Sequence, residues 1–137
     1  MKHTVVHIHG HTGSGKTSFL ERFNMKNGDP IQILYPNQRG AEIPSVIFAH
    51  EGQAAIAIDE LAKWDRESVK GAVGRLEEAA MSHGKTLILV TQAQDELKSL
   101  GIELKSQPLV VDFNDKTNWL HMGLEEMGLE VLLMPTV

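Results

Sequence analysis

Eight consecutive residues, Gly10-His11-Thr12-Gly13-Ser14-Gly15-Lys16-Thr17, meet the phosphate-binding pattern G-x-x-x-x-G-K-S/T at every fixed position. The spacing follows from the chemistry. Gly10, Gly13 and Gly15 let the backbone curl until successive N–H groups face a phosphate, Lys16 reaches the β and γ oxygens, and Thr17 offers a hydroxyl to Mg²⁺. Ser18 begins the helix whose positive end adds to the site. His11 sits in the loop itself, within range of the phosphates. The expected binding set is therefore Gly10, His11, Thr12, Gly13, Ser14, Gly15, Lys16, Thr17 and Ser18, with ATP and Mg²⁺ as ligands.

A second signal, which resembles the Walker B pattern that accompanies such a loop (Walker A), lies 43 residues beyond Lys16, where Ile56-Ala57-Ile58 runs into the acidic pair Asp59-Glu60. An apolar strand ending in carboxylates carries them to the carboxyl edge of an α/β sheet, where ligands collect. Asp59 is placed to hold Mg²⁺, directly or through water, and Glu60 to orient or deprotonate the attacking water. As plain structure, the same pair would simply open a surface helix. The third element is Thr91-Gln92 at the end of the apolar run Thr86-Leu87-Ile88-Leu89-Val90. A side-chain amide there can touch a γ-phosphate or fix a water, and it loses that partner on hydrolysis.

Taken together, residues 4–17, 56–60 and 86–92 resemble P-loop ATPases of the additional-strand, catalytic-glutamate class, and within it the RecA-like and FtsK/HerA-type motors. In that class the strand between the P-loop strand and the Walker B strand often ends in a polar sensor, the place Gln92 occupies. The resemblance implies an α/β, three-layer fold with a mainly parallel central sheet flanked by helices. It implies Lys16, Glu60 and Gln92 as catalytic residues, homo-oligomeric rings with shared active sites, an arginine finger, and translocation or packaging of DNA or RNA. The chain departs from those motors in its small size, its short Walker A to Walker B interval and the lack of a finger motif. Arg39, Arg66 and Arg75 are the candidates.

Two other functions fit the same motifs. One is a small-molecule phosphotransferase, against which stands the lack of an arginine-rich lid. The other is a nucleotide-gated switch that hydrolyses little. A guanine-reading N-K-x-D motif is absent, and Asn114-Asp115-Lys116-Thr117 does not supply it.

The elements that must position these residues alternate strand and helix, as in a largely parallel sheet. Residues 4–9 read as a strand and 18–23 as a helix, followed by a turn cluster over 24–30 and a strand over 31–35. Residues 45–49 and 54–58 are two strand candidates whose spacing permits a hairpin. Asp65 can cap a helix over 66–82, stopped by Gly84, because Val69, Val73, Leu76 and Ala80 recur at helical spacing. Residues 94–100 form a short helix ending at Gly101, 109–113 another strand, and 118–134 a closing hairpin or strand pair.

With 137 residues, the chain is expected to be a single domain over 1–137. It contains no cysteine, so neither disulfides nor thiolate metal sites arise. A net charge of -5 argues against a generally basic, nucleic-acid-coating surface, while leaving room for a local basic patch. With no signal-peptide core and no membrane-length apolar run, the expectation is a soluble protein of the cytoplasm, or of the host cytoplasm if viral, without membrane partners. His7 and His9 share one face of the first strand and read as a hydrogen-bonded pair rather than a metal site; with His3 and His11 they make an incomplete ligand set. Met122, Met127 and Met134 read as core or interface filler, and Trp64 and Trp119 as packing residues.

Overall fold

A computed structural model describes residues 4–46 and 53–114. In chain order the elements are β1 Val5–His9, α1 Lys16–Asn27, β2 Ile31–Leu34, β3 Ala55–Ile58, a 3₁₀ turn Leu61–Lys63, α2 Arg66–His83, β4 Thr86–Thr91, α3 Glu96–Ser99 and β5 Leu109–Asp112. The five strands form one sheet in the order β2-β3-β4-β1-β5. Every neighbouring pair is parallel, with Val5 opposite Leu87, Val6 opposite Leu109, Ile31 opposite Ala55 and Ala55 opposite Thr86. The protein is thus α/β, with an all-parallel sheet flanked by helices.

Strand alternation sends neighbouring side chains to opposite faces. Val5, Ile56, Ile58, Leu87 and Leu89 meet Val69, Val73 and Leu76 of α2 in one buried cluster, whereas Val6, Ile8, Ile88 and Val90 meet Leu20 and Phe23 of α1 in the other. Central strands covered on both sides read as nearly continuous apolar runs, and all six residues of β4, its terminal threonines included, are buried.

Helix ends follow local chemistry. Asp65 accepts a hydrogen bond from the Ser68 amide at 3.0 Å, as its capping position predicts. Gly84 closes α2 in the left-handed conformation, its N–H returning to the Ala80 carbonyl. Further along, the buried Glu77 carboxylate accepts from the amides of Lys105 and Ser106 and from the Ser106 hydroxyl at 2.7–3.0 Å, tying the segment before β5 to α2.

Three expectations change. Helix α1 runs through Asn27, so residues 24–27 are helical rather than part of a turn; Gly28 makes the stop. Asn24 is a buried fastener whose amide group donates to the Ile31 carbonyl and accepts from the Ile31 amide, which fixes the start of β2 against α1. The hairpin between residues 45–49 and 54–58 does not form: β2 and β4 occupy both edges of β3. Ser45 and Val46 are irregular, and the remainder of that strand candidate lies outside the described residues. The short helix over 94–100 contracts to Glu96–Ser99. The hairpin or strand pair over 118–134, Trp119, His3 and the three C-terminal methionines also lie outside the described residues.

Candidate phosphate-binding site

Parallel strands all point their carboxyl ends to one edge, and here that edge gathers the loop after β1, the acidic pair after β3 and the polar end of β4. Between them lies a cavity of about 190 Å³ lined by Thr12, Gly13, Gly15, Lys16, Thr17, Ser18, Asp59, Glu60, Val90, Thr91 and Gln92. The loop's geometry requires its glycines. Gly13 and Gly15 adopt φ of +85° and +97°, and a Cβ on Gly10 would lie 2.6 Å from Ser14 Oγ.

Of the loop residues expected to bind, Gly10 and His11 do not line this cavity, and Ser14 faces a neighbouring one with Glu21, Arg22 and Met25. His11 is exposed; its ring Nδ1 lies 2.9 Å from the Thr12 carbonyl, and its amide donates to Asn114 Oδ1 at 3.1 Å. Asn114 in turn is held through its own amide by Asp112 Oδ1. The end of β5 therefore braces the glycine-rich loop, a contact between residues 103 positions apart that no sequence pattern announces.

The Lys16 ammonium donates to the carbonyls of Gly10 and His11, the latter at 3.0 Å. Burial lowers its pKa, while Asp59, Glu96 and Glu60 act in the opposite direction. A partly desolvated cation held by neutral carbonyls gains from exchanging them for charged phosphate oxygens.

Thr17 Oγ1 donates to Asp59 Oδ2 at 2.9 Å. The other carboxylate oxygen, Oδ1, accepts from the Glu60 amide at 3.0 Å. Asp59 is only 2% exposed, and burial raises its pKa despite the opposing hydrogen bonds from Thr17 and Glu60. Trp64, itself buried as expected, donates its indole N–H to the Asp59 carbonyl at 2.8 Å and so anchors the strand end. A hydroxyl and a buried carboxylate side by side form a hard oxygen donor pair, the fit a divalent cation requires when phosphate and water complete its shell. Among the described residues no group of three His, Cys, Asp or Glu side chains could hold a metal.

Glu60 departs from ordinary backbone, with φ +46° and ψ +59°. A glutamate in the left-handed region carries about 1–3 kcal/mol of strain, of the kind that collects at functional sites. Its side chain pairs with Lys63 at 3.1 Å. A second cavity of about 180 Å³ adjoins the first, sharing Glu60, Thr91 and Gln92 and adding Arg39, Ala62, Lys63 and Glu96. Arg39 alone of the three candidate arginines lines it. Arg66 donates to the carbonyls of Leu100 and Ser99, and Arg75 lies on α2 beside Gly71.

The paired histidines are buried, with ring centroids 5.6 Å apart. His7 Nε2 lies 2.7 Å from Thr91 Oγ1, and His9 Nδ1 lies 3.8 Å from Asp112 Oδ1. Burial, with a smaller contribution from His9, lowers the His7 pKa to about 4.

The chain matches no protein-family model and no curated protein sequence. No described helix is long and apolar enough to cross a membrane.

Proposed function

We propose that the chain is a P-loop ATPase of the additional-strand, catalytic-glutamate class, resembling RecA-like and FtsK/HerA-type motors, that hydrolyses ATP with Mg²⁺ and acts as an oligomer on nucleic acid. One observation carries this reading: β4 is inserted between β1 and β3, which brings Gln92 to the same cavity as Lys16, Thr17, Asp59 and Glu60. A plain phosphate-binding turn has no need of a polar residue from a third strand at that place.

In this mechanism the loop amides and Lys16 hold the β and γ phosphates, and Thr17 and Asp59 hold the metal. Bound Mg²⁺ supplies charge neutralisation on the phosphate oxygens. Glu60 orients the attacking water and accepts its proton, and Gln92 contacts the γ-phosphate or the water. At the buried Asp59, fixed dipoles replace mobile solvent and strengthen its interactions.

The switch reading has one observation in its favour, the ion pair that holds Glu60 to Lys63. If that pair restrains the base, Lys63→Ala raises turnover; if Glu60 frees itself on nucleotide binding, Lys63→Ala leaves turnover unchanged. The main test is an ATPase assay with and without DNA and RNA, run beside a mass measurement of the particle. ATP hydrolysis stimulated by either polymer in a multimer supports the motor, a monomer indifferent to both removes it, and ATP consumption only with a small acceptor transfers the assignment to a phosphotransferase.

A further inference from the structure

Gln92 lies just beyond β4 on an exposed stretch of chain, yet its backbone is fixed on both sides by one residue. The Thr91 carbonyl accepts from the amide of Gly10, the first residue of the phosphate-binding loop, at 3.3 Å. The Thr91 hydroxyl donates to the Ala93 carbonyl at 2.8 Å, closing a small ring around Gln92. That hydroxyl is buried, and among the described residues the other group placed on it is His7 Nε2, at 2.7 Å.

The proton count then defines the histidine. Threonine has one hydroxyl proton, and it is engaged with Ala93; turning it toward His7 would leave two oxygen acceptors facing one another at 2.8 Å. The Thr91 oxygen therefore accepts from His7, which must carry its proton on Nε2. The chain runs in one direction, from His7 N–H to the Thr91 oxygen and from the Thr91 O–H to the Ala93 carbonyl. Cooperative chains of this kind strengthen each link when buried.

We propose that His7 is a positioning residue of the site: by fixing the Thr91 hydroxyl it sets the backbone turn that aims Gln92 into the cavity. It touches neither nucleotide nor metal. Its place in the middle of β1, three residues before the loop, ties the rigid sheet to both the phosphate cradle and the sensor. The inference rests on the ATPase reading for its catalytic consequence, but the hydrogen-bond chain stands independently of it.

The test combines spectroscopy with a double-mutant cycle. In ¹⁵N-histidine-labelled wild-type protein, two-bond proton–nitrogen correlations should place the His7 proton on Nε2. His7→Leu and Thr91→Val should each lower kcat about tenfold while nucleotide Kd changes by less than about twofold, and His7→Gln, whose amide can still donate to Thr91, should restore most of the loss. In a Gln92→Ala background, His7→Leu should add less than about twofold, because the residue it positions is gone. A proton on Nδ1, an unchanged kcat in Thr91→Val, or a full tenfold loss persisting in the Gln92→Ala background would each overturn the proposal. Should His7→Leu fail to fold, Thr91→Val and His7→Gln carry the same comparison. A wild-type protein that hydrolyses nothing overturns the ATPase reading and the catalytic role together, while the Nε2 assignment still decides the hydrogen-bond chain.

Discussion

Glu60 and His7 are residues whose environments oppose ordinary behaviour, one by strained backbone and one by burial of a titratable ring. If Glu60 is the base, Glu60→Gln retains ATP binding and lowers turnover by about 10²–10⁴, the usual contribution of general-base catalysis; single-turnover hydrolysis beside equilibrium binding measures both. Unchanged turnover would remove Glu60 from that role. His7 makes stability depend on acid. Its folded pKa of about 4 lies below the unfolded value of 6.5, so the unfolded chain takes up a proton first as the pH falls. Stability is therefore complete above pH 6.5 and declines toward pH 4. The titratable neighbour on its own strand is His9, whose effect has the same sign as burial. Between pH 7 and pH 5 the His7 share of the loss is about 2 kcal/mol. Urea unfolding at both values should show that share missing in His7→Gln; an identical pH dependence in the variant would contradict it.

Among the elements, α2 shows how a local signal and a distant one stabilise the same helix. Asp65 was legible as a cap because a short acceptor ahead of a periodic apolar stripe needs no tertiary information. Glu77 was not legible: its partners Lys105 and Ser106 lie 28 and 29 residues away, and a glutamate on a helix ordinarily faces water. Hydrogen bonds from both amides and the Ser106 hydroxyl prevail over its burial and lower the Glu77 pKa. Asp65→Ala should cost about 1 kcal/mol. Glu77→Ala, which leaves three donors without their acceptor, should cost about 1–3 kcal/mol and loosen the segment before β5. Chemical denaturation gives the first figure, and hydrogen exchange at the Lys105 and Ser106 amides tests the second. The misplaced hairpin has the opposite cause. Short spacing between two apolar runs suggested local pairing, but β3 gains more by burying both edges between β2 and β4 than an isolated hairpin could offer.

At the scale of the whole molecule, the proposed hydrolysis would draw an arginine either from this chain or from a neighbour. Arg39 lines the cavity that shares Glu60 and Gln92, held there by a loop whose Gly40 amide donates to the Lys63 carbonyl and whose Ala41 carbonyl accepts from Asp65. An arginine finger contributes about 10³–10⁵ in rate. If Arg39 acts within its own subunit, Arg39→Ala loses turnover, and mixing it with Lys16→Ala restores nothing. If it acts across an interface, the mixture regains activity, because some sites then combine an intact lysine with a neighbour's intact arginine. Hydrolysis rates of the mixed and unmixed proteins, measured against concentration, separate these outcomes.

The sequence by itself determined the glycine-rich loop, the acidic strand end, the α2 cap and the alternation of strand and helix, since each depends on residues within a few positions of one another. Loop curvature needs glycines at fixed steps, and a cap needs an acceptor one turn away, so local order is enough. The resemblance implied that β4 enters between β1 and β3, and the strand order shows it; only the tertiary structure decided that Asn114 braces the loop, that Thr91 links His7 to the turn carrying Gln92, and that Arg39 rather than Arg66 faces the cavity. These are contacts between residues far apart in the chain, set by which faces the sheet must bury rather than by any spacing. The parallel order of strands brings the separate motifs around a single cavity.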